Sequence, residues 1–145
     1  MTDLISKKMI VLDLDVSNKD EAIETLARKI QEEGRLNDFD GYIKQVKKRE
    51  EEFSTAVGFD IAIPHGKCIH VKKASVAFAR LKNKIKWSED ESVKYIFLLA
   101  VPDSEAGDKH LQIIAQLSRN IMRDEFRRKL EDSNEIDQIE KVLEL

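Results

Sequence analysis

Seven consecutive apolar residues, Tyr95-Ile96-Phe97-Leu98-Leu99-Ala100-Val101, constrain this chain more than any other stretch. The run is far too short to cross a bilayer as a helix, which takes about 20 apolar residues. It must instead be covered on both faces. A strand over Val93 to Val101, central in a sheet layered with helices, meets that demand. Pro102 follows and stops it, since proline has no N–H to give to a ladder.

The rest of the pattern fits such layers. Met9 to Leu14 and Ala74 to Leu81 read as two further strands. Asn18 or Ser17 caps a helix running to about Glu33, with Ala22, Ile23, Leu26, Ala27 and Ile30 on one face. Gly34 ends it. Phe39, Tyr42, Ile43 and Val46 mark a second helix toward Glu52. From Asp108 the pattern is helical again, with Leu111, Ile114, Ala115, Ser118 and Ile121 forming one stripe. Phe126 and Leu130 predict a short helix, and Ile136, Ile139, Val142 and Leu143 a last one. The fold class is α/β. Strand order does not follow from periodicity.

Two prolines and five glycines in 145 residues leave no flexible linker, so residues 1–145 are expected to form a single domain. A net charge of −3 argues against nucleic-acid binding. The N-terminal Met1-Thr2-Asp3-Leu4-Ile5-Ser6-Lys7-Lys8 lacks the order of a signal peptide, and direct membrane insertion is not expected. One cysteine suits a reducing cytoplasm, the expected location.

Chemistry is concentrated in Asp60-Ile61-Ala62-Ile63-Pro64-His65-Gly66. Ile61 and Ile63 point to one face of a short buried strand and Ala62 to the other. Pro64 suits the end of that strand, and Gly66 permits a turn or a close approach. His65 is thereby mounted at a strand-to-loop junction, where an imidazole serves as base, metal ligand or nucleophile. Upstream stand Glu50, six residues, Val57-Gly58 and two more residues. This pattern resembles the active-site signature of the fructose/mannitol-type enzyme IIA proteins of the bacterial sugar phosphotransferase system.

Other polar residues are candidates beside it. His110 falls in the first turn of the helix beginning near Asp108, on the side of Ile114, Leu117 and Ile121. A helix start offers N–H groups and partial positive charge to a phosphoryl group. Arg49 ends the run Lys47-Lys48-Arg49, and its fork suits phosphate oxygens. Alone, the run is a solvated helix face. Ser54 and Thr55 are hydroxyl donors or loop stabilisers. His65, Cys68, His70 and His110 would number four zinc ligands, but their spacing is not a common zinc pattern, and no metal or other cofactor is expected. Trp87 reads as a packing anchor, and Ser88 to Ser92 as a solvated turn. No glycine loop cradles a nucleotide.

The resemblance covers nearly the whole chain and carries its own implications. It implies a single mixed β-sheet of about five strands with helices on both faces. It implies a phosphotransferase component that takes a phosphoryl group from the carrier protein HPr onto His65, through Nε2, and passes it to a cysteine of enzyme IIB. Membrane enzyme IIC is then served indirectly. His110 and Arg49 would assist at the phosphoryl oxygens. Cys68 does not correspond to the enzyme IIB cysteine. The stretch Val101 to Leu111 looks more like fructose-type transport proteins than like the nitrogen-related regulatory branch, which keeps the same histidine. Protein partners call for a shallow, accessible site, with Ala56, Val57, Phe59 and Ile69 as candidate rim residues.

Overall fold

A computed structural model describes residues 4–104 and 107–143, with the side chains of 107–111 outside that description. The apolar run lies inside β6 (Glu91–Pro102), the central strand of a six-stranded mixed sheet. β5 (Ser75–Ser88) pairs with it antiparallel, and β1 (Ile10–Leu14) pairs parallel to β5 on the far side. On its other edge β6 takes β3 (Ile61–Ala62) and β4 (His65–Cys68), both parallel, and β2 (Ala56–Gly58) pairs antiparallel with β3.

Alternation along β5 and β6 divides the core into two layers. Ala77, Ala79, Leu81, Ile96, Leu98 and Ala100 face α1 (Lys19–Glu32) and α2 (Phe39–Glu52). Val76, Phe78, Tyr95, Phe97 and Leu99 face α3 (Gly107–Ile121), α4 (Asp124–Asp132) and α5 (Ile136–Val142). Helices thus cover both faces, as expected. The α1 face is the predicted one, Ala22, Ile23, Leu26, Ala27 and Ile30. Asn18 caps it, its Oδ1 accepting the Glu21 N–H at 2.9 Å, and Gly34 closes it at φ 72°. Among the described side chains of α3 the buried ones are Ile113, Leu117 and Ile121, while Ala115 and Ser118 are exposed. Of the predicted stripe, Ile121 is buried and Ile114 is partly buried against the core, Ala115 and Ser118 give way to Ile113 and Leu117, and the Leu111 side chain lies outside the described residues.

The β5–β6 hairpin runs well past the predicted strand ends. Its outer half alternates Lys82, Lys84 and Lys86, outside, with Ile85 and Trp87, inside. The His65 segment also differs from expectation. Pro64 does not end the pairing. Ile61 sits opposite Tyr95 and His65 opposite Leu99, the same offset on either side of the proline. Pro64 removes one N–H, but its carbonyl still accepts the Leu99 N–H at 3.0 Å. His65 accordingly begins a strand rather than leaving one. β3 and β4 are one broken strand along β6, so the sheet is five strands wide although six segments form it.

Candidate functional site

His65 is held by its own strand. Its Nδ1 lies 2.9 Å from the Ile63 carbonyl oxygen. A carbonyl only accepts, so Nδ1 carries the proton and the basic lone pair lies on Nε2. The residue is 9% exposed. Burial, foremost, holds the imidazole below its ordinary pKa of 6.5, against the pull of the Ile63 hydrogen bond. The Arg49 charge lowers it further and the Glu50 charge raises it. The ring is therefore neutral at pH 7, the state a nitrogen nucleophile needs.

Gly66, next to it, allows close approach rather than a turn. A Cβ there would lie 3.0 Å from Val46 Cγ2 and 3.1 Å from Tyr42 Cε1. The absent side chain lets α2 pack directly on β4. Tyr42 then reaches past β4 and donates its hydroxyl to the Leu99 carbonyl at 2.7 Å, fastening α2 to β6 opposite His65.

This packing brings the last turn of α2 within electrostatic reach of His65. Arg49 there donates Nη1 to the Phe53 carbonyl at 2.8 Å. Glu50, the next residue, turns inward and is 7% exposed. Its Oε2 accepts the Thr55 N–H at 3.3 Å and its Oε1 accepts the Thr55 hydroxyl. Ser54 Oγ accepts the Ala56 N–H at 3.2 Å and donates to Glu91 Oε1 at 3.2 Å. Ser54 and Thr55 thus both secure the loop leaving α2. The inward Glu50 was legible in the sequence, because it continues the spacing Tyr42, Val46, Glu50 on the buried helix face.

His110 is on the first turns of α3, and its side chain lies outside the described residues. The other two members of the zinc set are separated from His65. Strand alternation puts Gly66 and Cys68 on the α2 side of β4 and His65 on the opposite side. The half-buried Cys68 thiol is pushed up chiefly by burial. The His70 ring lies across Gly41 of α2, with Nδ1 3.8 Å from Asp38 Oδ2. Among the described residues no group of three His, Cys, Asp or Glu is placed to hold a metal ion.

Of the four apolar rim candidates, Val57, Phe59 and Ile69 are exposed, whereas Ala56 is partly buried against the α1–α2 core. Phe53, in the loop after α2, is a further exposed aromatic at 77%. Phe59 and Asp60 adopt φ 56° and 63°, the left-handed pair that a two-residue β2–β3 hairpin requires. The Phe59 ring lies under the Arg127 guanidinium at 3.9 Å. Among the described residues no helix is long and apolar enough to cross a membrane.

Known proteins share this fold. The fructose-specific EIIA component of the phosphotransferase system of Haloferax volcanii is 36% identical, over 94% of this chain and 89% of that protein. The crystal structure of nitrogen regulatory protein IIA-Ntr from Neisseria meningitidis superposes with a TM-score of 0.89 at 27% identity, covering 98% of this chain and 97% of that one. The mannitol enzyme IIA of Escherichia coli, solved in complex with phosphorylated enzyme IIB, shares the fold at a TM-score of 0.80 and 22% identity, covering 97% of this chain and 98% of that one. The chain spans 17% and 22% of the length of two longer curated relatives from Escherichia coli. The model of the "phosphoenolpyruvate-dependent sugar phosphotransferase system, EIIA 2" family matches residues 3–145, and the chain belongs to that family of phosphoryl-carrying components.

Proposed function

We propose that the chain carries a phosphoryl group on Nε2 of His65, taken from phospho-HPr and delivered to an enzyme IIB. The observation that supports this most directly is the Ile63 carbonyl fixing the proton on Nδ1 of a buried, neutral imidazole. Attack by the Nε2 lone pair forms the new phosphorus–nitrogen bond as the bond to the donor imidazole breaks in line. The electron pair returns to the donor ring, and the His65 Nδ1–H stays on the Ile63 carbonyl throughout. No proton need move, because a cationic phosphorylated ring on the donor exchanges with a neutral ring on the acceptor. What remains for the protein is positioning and charge.

Arg49 is assigned to the phosphoryl oxygens. Its charge already acts on the His65 ring, and its side chain is tethered at Phe53, beside the site. His110 is assigned to the same oxygens or to the ring, from the start of α3. Losing one such donor commonly slows a transfer by about 10²–10³-fold. Single-turnover transfer from phospho-HPr and onward to enzyme IIB tests the set. His65→Ala should abolish acceptance, while Arg49→Ala should slow both steps and His110→Ala chiefly the second. Wild-type rates in folded Arg49→Ala and His110→Ala would remove both residues from the site.

Sugar uptake of the fructose type is the role we favour, supported by the likeness to a fructose-specific EIIA component. The likeness to IIA-Ntr supports a second reading, control of other proteins by phosphorylation state. Productive transfer to a sugar-specific enzyme IIB encoded beside this chain would decide for uptake. Failure to discharge to any such enzyme IIB would decide for regulation.

A further inference from the structure

The reaction as drawn uses neither Glu50 nor Thr55, yet both are buried polar residues, at 7% and 4% exposure. A buried carboxylate needs hydrogen bonds to offset its desolvation. Glu50 directs both oxygens at Thr55, one to its N–H and one to its hydroxyl. The contacts continue from there. The Thr55 carbonyl accepts the Ile63 N–H at 3.0 Å, and the Ile63 carbonyl accepts the His65 Nδ1–H at 2.9 Å. An unbroken series of hydrogen bonds thus runs from the end of α2 to the reacting ring. The Ile63 N–H and carbonyl belong to one residue, so fixing the first aims the second.

We propose that Glu50 and Thr55 are positioning residues that fix the Ile63 carbonyl, hold the proton on Nδ1 of His65, and so present Nε2 to the phosphoryl group. The proposal rests on the reading of His65 as the phosphoryl carrier. Glu50 does more than secure a loop. Its negative charge favours the positively charged ring, and the phosphorylated ring with Nδ1–H retained is positively charged. Arg49, one residue earlier, has the opposite effect on the ring and holds the same loop through Phe53. Two adjacent side chains of α2 therefore act on the site with opposite charge, one from the loop exterior and one from the interior.

The test compares wild type with Glu50→Ala, Thr55→Val and Thr55→Ser. Imidazole ¹⁵N shifts report the His65 tautomer without any phosphoryl donor, and single-turnover acceptance from phospho-HPr reports the rate. Wild type and Thr55→Ser should show protonated Nδ1 and similar rates. Glu50→Ala and Thr55→Val should show mixed tautomers and about 10²-fold slower acceptance, the usual scale for a small misplacement of a reacting group. Thr55→Val changes little in volume, so it decides the matter if Glu50→Ala fails to fold. A folded Thr55→Val with the wild-type tautomer, or with a wild-type rate, overturns the proposal. If wild type takes no phosphate on His65, the carrier reading fails, but the tautomer comparison still decides the positioning claim.

Discussion

Replacing Gly66 with alanine should loosen α2 from the sheet at the candidate site. The new methyl would lie 3.0 Å from Val46 Cγ2, 3.1 Å from Tyr42 Cε1 and 3.4 Å from Tyr42 Cδ1. Carbon pairs are most favourable at about 3.5–4.0 Å, so two contacts are too short by roughly half an ångström. Neither neighbour can swing away. Val46 and Tyr42 are fully buried, and the Tyr42 hydroxyl is bound to the Leu99 carbonyl at 2.7 Å. Overpacking of this kind costs about 1–3 kcal/mol. The stiffer unfolded chain returns about 0.4–1 kcal/mol. The net loss is about 1–2 kcal/mol, or roughly 3–6 °C in Tm for a chain this size. Thermal and urea unfolding of Gly66→Ala, Val46→Ala and the double variant would measure it. Shrinking Val46 makes room for the methyl, so the double variant should be about 1 kcal/mol more stable than the sum of the singles implies. An unchanged or higher Tm in Gly66→Ala, or strict additivity, would refute the packing argument.

Further expectations concern the same neighbourhood and the far face. His65 has its pKa lowered from 6.5, chiefly by burial, so its stabilising contribution is full above pH 6.5 and is lost as pH falls through the lower folded value. An NMR titration should place its midpoint below 6.5, and phosphoryl acceptance should not decline between pH 8 and 6.5; a midpoint above 6.5 would contradict this. Tyr42→Phe should lower stability by about 1–2 kcal/mol in urea, because the buried Leu99 carbonyl loses a partner. Arg80→Ala should cost about 2–3 kcal/mol, since the buried Arg80 Nη1 donates to the Leu130 carbonyl at 3.0 Å, the Glu131 carbonyl at 3.3 Å and the Ser133 carbonyl at the end of α4. A change under 0.5 kcal/mol would make that contact incidental.

Where a residue's role followed from period and polarity, the sequence was readable. The apolar run in β6, the α1 face and its Asn18 cap all match the structure. The opposite faces of Ile61/Ile63 and Ala62 do as well. Features that depend on tertiary partners were harder to read. Lys82, Lys84 and Lys86 disguised the outer half of β5, because a hairpin arm open to solvent on one side tolerates charge there. The three-residue β2 carries too little pattern to register, and its hairpin places Phe59 rather than the usual Asn or Gly at a left-handed position. Pro64 reads as a stop because a proline costs a ladder bond, yet the parallel pairing with β6 resumes in register beyond it. Of the candidate site, the sequence offers His65, Arg49 and His110, whose roles are proposals. The Glu50–Thr55 pairing was not legible, because it depends on how the chain folds back after α2.

The most direct test of the account is to find which atom holds the phosphate. The protein should be charged from phosphoenolpyruvate through enzyme I and HPr, then studied by ¹H–¹⁵N–³¹P NMR under alkaline conditions. The account predicts one phosphoramidate, on Nε2 of His65, absent in His65→Ala. Phosphorus bonded to Nδ1, or normal labelling that persists in His65→Ala, would contradict it.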